Sequence, residues 1–195
     1  MGHTVFAAPA TTPISLSAAK NHLRIDPNDS DDIVDGLLNA AVLLVENETR
    51  RALITRTIDF TIDYDWPYDE QRESHRIVLP FPPLQSVTSI SYVDTAGATQ
   101  TLATNQYLVN ATGIEGVIEP AYGVSWPSLR RQMNAITVRF VCGYGAAAAV
   151  PEPLKQALKL LMWNWHDNPS ATIGGNFNEV PMAVQSLMFP YRVFY

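Results

Sequence analysis

The sequence predicts an α+β protein in which an N-terminal helical pair and C-terminal helices pack with a middle antiparallel β module. Three observations predict it. Apolar residues recur at helical spacing over residues 15–52, the period changes to two over residues 53–145, and helical spacing returns from residue 151 onward. Helices grouped at both ends of a run of strands exclude the alternating βαβ order of a parallel-sheet protein. With 195 residues, 47% of them hydrophobic, the chain can bury a substantial core as a single domain over residues 14–195, preceded by a flexible arm at residues 1–13.

The arm is small, polar and proline-containing. Ser15 then opens a short helix to about Arg24, with Leu16, Ala19 and Leu23 as its apolar stripe. The segment from Asp26 to Asp32 reads as a turn and a helix start. Asp29 or Ser30 can accept from the free amides, and Asp31 and Asp32 favour the positive end of the helix dipole. The following helix, to about Ala52, is apolar on two faces. One carries Ile33, Leu37, Ala40, Ala41, Leu44 and Val45, the other Val34, Leu38, Val42 and Leu43.

In the β module, Ile58, Phe60, Ile62 and Tyr64 alternate with Thr57, Asp59, Thr61 and Asp63, the pattern of a half-buried strand. Further strands are expected at residues 76–79, 87–93, 99–102, 106–109, 116–119 and 136–142. Turn residues separate them, at Pro80-Phe81-Pro82-Pro83, at Asp94-Thr95-Ala96-Gly97 and from Asn110 to Gly113. Pro151 begins the last long helix, to about Asp167, where Leu154, Ala157, Leu158, Leu161, Met162 and Trp165 form one stripe. Asn168-Pro169, a Gly174-Gly175 loop, a short helix near residues 182–189 and the tail PYRVFY follow.

Both long helices carry more apolar surface than one core face needs, so Val34, Leu38, Leu160 and Trp163 are candidates for contact with a neighbouring subunit. A charged fraction of only 16% agrees with surface covered by partner chains. The formal net charge is −6 and the basic residues are scattered, apart from Arg50-Arg51 and Arg130-Arg131, which argues against a nucleic-acid clamp. The single cysteine, Cys142, excludes an internal disulfide and sits in an apolar strand, where a thiol acts as a small hydrophobe. The N-terminus lacks the charged and apolar regions of a secretory signal, and no run reaches the roughly 18 apolar residues of a membrane span. We therefore expect a soluble chain with no membrane partner.

No motif for catalysis or cofactor binding emerges. The stretch VRFVCGYGAAAAVPEP has a strand followed by G-x-G-x-x-A, but Pro151 and Pro153 delay the helix past the point where its amides could face a phosphate. It reads as a joint. The segment Asp26–Asp32 matches the first half of a calcium loop, but Asp31 stands where the turn needs glycine and Leu37 where the site needs glutamate. His3, His22, His75 and His166 show no metal spacing. The carboxylate pairs Asp63/Asp65 and Asp69/Glu70 fall in strand or loop, with solvated surface the default. We expect no cofactor and no metal.

The helix LSAAKNHLRI, the Asp-rich cap, the long helix ending ENETRRAL, the β segment LPFPPLQSVTSISYVD, the run ITVRFVCGYGAAAAVPEPLKQALKLLMWNWHDNP and the closing VPMAVQSLMFPYR resemble, in order and spacing, the head-tail connector (adaptor, or head-completion) proteins of long-tailed phages and gene transfer agents. The resemblance covers about residues 14–192. It implies a non-enzymatic subunit of a ring, usually of twelve copies, that sits beneath the portal protein in the virion neck after assembly in the host cytoplasm. Such a ring extends the DNA tunnel, lets DNA pass without specific binding, and presents a docking surface to the next neck or tail protein. By the same resemblance the C-terminal segment engages the portal, with Val180, Pro181, Leu187, Pro190, Tyr191 and Arg192 matching the family's closing pattern. A tail-side completion protein on a related scaffold is the alternative, and an enzyme using β-module carboxylates a more distant one.

Overall fold

The computed structural model describes residues 1–25, 31–70, 74–168 and 181–194. They form an α+β fold in two compact units, one from Met1–Pro9 and Thr55–Gly143 and the other from Ala10–Ile54 and Tyr144–Tyr195. The chain thus starts in the β unit, crosses to the helical unit, returns, and crosses again.

The strands of the β unit are β1 (Gly2–Ala7), β2 (Arg56–Ile62), β3 (Tyr68–Asp69), β4 (Ser74–His75), β5 (Ile77–Leu79), β6 (Leu84–Val93), β7 (Thr99–Thr101), β8 (Tyr107–Asn110), β9 (Gly116–Pro120) and β10 (Ile136–Cys142). They pair as a five-stranded sheet β1-β2-β10-β6-β7, a three-stranded sheet β5-β9-β8 and the small ribbon β3-β4, all antiparallel. The period-two reading holds at the centre. Ile58, Phe60 and Ile62 of β2 and Ile136, Val138, Phe140 and Cys142 of β10 are buried, and their neighbours face outward. Cys142 is packing, as its apolar surroundings predicted.

Three strands were not expected: the two of the short ribbon β3-β4 and, at the N-terminus, β1. Residues 2–7, assigned to the flexible arm on their composition, form the edge strand β1 against β2, with Gly2 opposite Thr61 and Val5 opposite Ile58. All six of its residues are exposed, so there is no alternation of burial for a local pattern to reveal.

The helical unit contains α1 (Leu16–Leu23), α2 (Asp31–Thr49), α3 (Glu152–Asp167) and α4 (Met182–Met188). Ser15 caps α1 as predicted, its Oγ accepting from the Ala18 N–H at 3.2 Å. The proposed caps Asp29 and Ser30, with residues 26–30 of the calcium-like segment Asp26–Asp32, lie outside the described residues. Ala19 and Leu23 of α1, Leu154, Ala157, Leu158, Leu161 and Met162 of α3, and Val184 and Met188 of α4 enclose one apolar core with α2. Lys20 is buried beside it and pairs with Asp31. Gly143 and Gly145 have φ of 112° and 120°, backbone that only glycine adopts without strain, and α3 starts well beyond them at Glu152. The stretch is the joint between units.

Candidate functional site

The carboxyl end of the chain is held on the carboxyl end of α2. After α4 the chain makes a 3-10 turn, Phe189–Tyr191, and then runs extended. The Arg51 Nε donates to the Tyr191 carbonyl at 2.6 Å, the Val193 N–H donates to the Thr49 carbonyl at 3.1 Å, and Arg192 pairs with Glu48. Val193 is buried, and Leu187 and Tyr191 pack against the helical core. Burial raises the Tyr144 hydroxyl above its usual pKa, and the nearby Arg51 opposes the shift. What this docking leaves in solvent is apolar: Phe189 is 63% exposed, Phe194 75% exposed, and Pro190 and Met182 are exposed too.

The sequence-predicted tail residues therefore separate. Pro190 faces solvent, Pro181 stands half-buried at the N-cap of α4, and Leu187, Tyr191 and Arg192 are engaged with the chain's own fold. Val180 lies outside the described residues, as does Tyr195.

The four subunit-interface candidates separate as well. Val34 and Leu38 are fully buried with Ala41 and Val45 in the helical core, and so cannot meet a neighbour. Both faces of α2 are apolar, and periodicity alone assigned the outward role to the wrong one. The exposed stripe is Ile33, Gly36, Ala40 and Leu43, with Ile33 63% and Leu43 60% exposed and Leu37 and Leu44 half-covered between them. A side chain at Gly36 would meet nothing within 4 Å. On α3, Leu160 is partly buried against the core, whereas Trp163 is 40% exposed with its indole at an edge-on 6.2 Å from His22.

Several carboxylates of the β unit have structural partners. Asp63 accepts from the Asn134 N–H at 2.8 Å and pairs with the Met1 ammonium at 3.0 Å, and these, the first foremost, hold it below its usual pKa. Asp94 closes its turn by accepting from Gln100, Ala98 and Ala96, and is likewise lowered. Asp69 pairs with Arg76 at 2.6 Å. Asp59 holds Arg139 with two bonds of 2.7 Å. A groove of about 620 Å³ runs beside Trp66 and Trp126, whose rings stack at 4.4 Å. Both indole N–H groups are spent on backbone, Trp66 on the Pro127 carbonyl and Trp126 on that of His75. Asp65 is the one carboxylate lining the groove among the described residues, and its Oδ1 accepts from the Trp66 N–H. No two acids converge there. Among the described residues no group of three metal-binding side chains forms, and no helix is long and apolar enough to cross a membrane.

With this geometry in view, residues 13–93 match the family described as phage gp6-like head-tail connector protein. The resemblance read from the sequence is to that family. No curated protein matches the chain. Solved structures do. A chain in the virion of a native gene transfer agent (GTA) particle is 22% identical with a TM-score of 0.78, over 100% of this chain and 97% of that one. A chain in the neck of an empty GTA particle, computed with C6 symmetry, is 22% identical with a TM-score of 0.79 over the same shares. A third, in the neck of a native GTA particle computed with C12 symmetry, is 23% identical with a TM-score of 0.77, again over 100% and 97%. At such identities the likeness is one of fold, and the fold is shared along the whole chain.

The sequence did carry a signal for what was missed. Phe189 lies in the closing stretch VPMAVQSLMFPYR and Phe194 in the tail PYRVFY already noted, and Ile33 and Leu43 were counted as apolar positions of α2. Only the tertiary packing told which of them remain exposed.

Proposed function

We propose that this chain is a structural, non-enzymatic subunit of a ring-shaped head-tail connector in a virion neck. The ring binds the portal, extends the DNA tunnel and offers a docking surface to the next neck or tail protein. What carries this reading is the match of residues 13–93 to head-tail connectors, joined to a fold shared end to end with proteins of GTA particles. The C12 symmetry of one such neck supports a ring of twelve copies.

Two surfaces serve the two kinds of contact. The stripe Ile33, Gly36, Ala40 and Leu43 on α2, with Trp163 on α3, meets neighbouring subunits, taking the place first given to Val34 and Leu38. A ring needs heterologous contacts of this kind, one patch against a different patch on the next copy. The C-terminal segment meets the portal through Phe189, Pro190 and Phe194, while Tyr191 and Arg192 anchor it to α2. Apolar aromatic side chains at a chain end are the residue types that dominate binding energy when a partner covers them.

The test is co-sedimentation of the protein with the portal ring encoded in the same genome, followed by negative-stain imaging. Stoichiometric binding with an added disc on one end of the portal is the expected outcome. Binding to tail components and none to an intact portal would move the assignment to a tail-side completion protein.

A further inference from the structure

We infer that β1 is an exchangeable strand: in the assembled ring, residues 2–7 of one copy pair with β2 of the neighbouring copy. This rests on the ring reading above and carries a segment of each subunit into the sheet of the next.

The first observation is the route of the chain. β1 belongs to the β unit, yet residues 10–54 of the helical unit stand between it and β2 in sequence. The connection out of β1 to α1 has no helix or strand, and its free part is Ala8-Pro9-Ala10-Thr11-Thr12, because Pro13 and Ile14 are buried in the helical unit and Ser15 caps α1. Those five residues span up to roughly 16–18 Å when extended. A strand tied to its own sheet only through another unit is free to reach an equivalent sheet without unfolding either core.

The second observation is how little β1 contributes to its own unit. All six residues are exposed, so its departure uncovers no side chain of its own from a core. Segments with exposed backbone bonds and no buried apolar contacts open at the low end of the local-stability range. The strand is held by its ladder to β2, which shifts register between Val5 and Ala7, by the Met1 ammonium on Asp63 at 3.0 Å, by the Thr61 hydroxyl donating to the Gly2 carbonyl at 3.2 Å, and by two aromatic contacts. Phe6 lies with the Arg139 guanidinium 3.5 Å above its ring, and His3 meets Phe81 edge-on at 4.7 Å. Arg139 is fixed from the other side by Asp59. This is a preformed seat. It recognises a backbone register, one aromatic ring over a cation and one ring edge, all of which the same strand from a second copy supplies identically.

Exchange therefore replaces every contact with its copy, and the balance is set by effective concentration. In a free chain the tethered strand wins. In a ring the neighbour's strand is tethered too, and each exchange closes a head-to-tail link that a ring completes without leftover ends.

The experiment uses full-length chains carrying Gly2→Cys in one and Thr61→Cys in a size-tagged second, positions that face each other in the ladder. Cys142 is buried and stays in place. Rings assembled on the portal from an equal mixture are oxidised mildly and run on a denaturing gel. The expected product is the mixed dimer, well in excess of the statistical mixture that random collision gives, and the Gly2→Cys/Thr61→Cys double variant should give a covalent ladder. Complete loss of the two introduced thiols in rings of normal stoichiometry, with the double variant running as a monomer, would overturn exchange and leave the ring reading intact. Ala7→Cys with Thr57→Cys, a second facing pair, repeats the measurement should the first pair disturb folding. If no ring forms with or without portal, the ring reading fails, and the same mixture refolded at high concentration decides exchange: absence of mixed dimer overturns it.

Discussion

Val193 and Phe194 are adjacent, yet one is buried on the end of α2 and the other is 75% exposed. Their substitutions should separate accordingly. Val193→Ala removes buried methyl groups and should cost roughly 1.5–3 kcal/mol of folding stability. Phe194→Ala and Phe189→Ala should leave stability within about 0.5 kcal/mol, as surface substitutions do, but reduce co-sedimentation with the portal. Equal binding by wild type and the Phe189→Ala/Phe194→Ala double variant would remove the tail from the portal contact. Asp63 gives a pH prediction at the same scale. Its carboxyl is held below the usual 3.8, chiefly by the Asn134 N–H and then by the Met1 ammonium, so its contribution is fully present above about 3.8 and is lost as pH falls through the lower folded value. Asp63→Ala should therefore melt below wild type at neutral pH, and the gap should narrow in acid. A gap that stays constant into acid would mean that the charge is not what stabilises the turn.

At the scale of the element, α2 shows both how far sequence reasoning reaches and where it stops. Its existence, its acidic first turn and its two apolar faces follow from the spacing of its residues, and the structure has them all. Which face points inward does not follow, because Ile33, Ala40 and Leu43 are as apolar as Val34, Leu38 and Ala41. The choice is made by the walls that α1, α3 and α4 present. On α3, where the outward side is mostly polar, the inward stripe Leu154, Ala157, Leu158, Leu161 and Met162 was legible in full. The two faces of α2 predict different phenotypes. Leu38→Ala should cost about 2–5 kcal/mol, the usual range for a leucine truncated in a packed core. Ile33→Glu with Leu43→Glu should leave the monomer's melting temperature nearly unchanged and abolish ring assembly, read by analytical ultracentrifugation in the presence of portal. A variant that assembles normally would show that this stripe is not the subunit contact.

For the whole molecule, the crossing of the chain between two units was the least legible feature. Local periodicity reports each element, whereas β1 reaches its partner β2 only after two helices of the other unit have been made. No window that short could see the pairing. The charge of the chain, by contrast, is a whole-molecule property read directly from composition, and it makes a prediction about DNA. At a formal net charge of −6 the proposed ring would multiply negative charge with every copy, and a duplex passing through it would release few counterions to the protein. One member of each arginine pair is already engaged within the fold. Arg51 is committed to the Tyr191 carbonyl, and the guanidinium of Arg130 lies against the turn glycine Gly97. Fluorescence anisotropy of a labelled duplex should thus show no binding by assembled rings even at about 50 mM salt, where phosphate contacts are least screened. Saturable binding that weakens steeply as salt rises would instead mean that basic side chains are gathered on the tunnel wall, and that the lining grips the DNA it was expected to let slide.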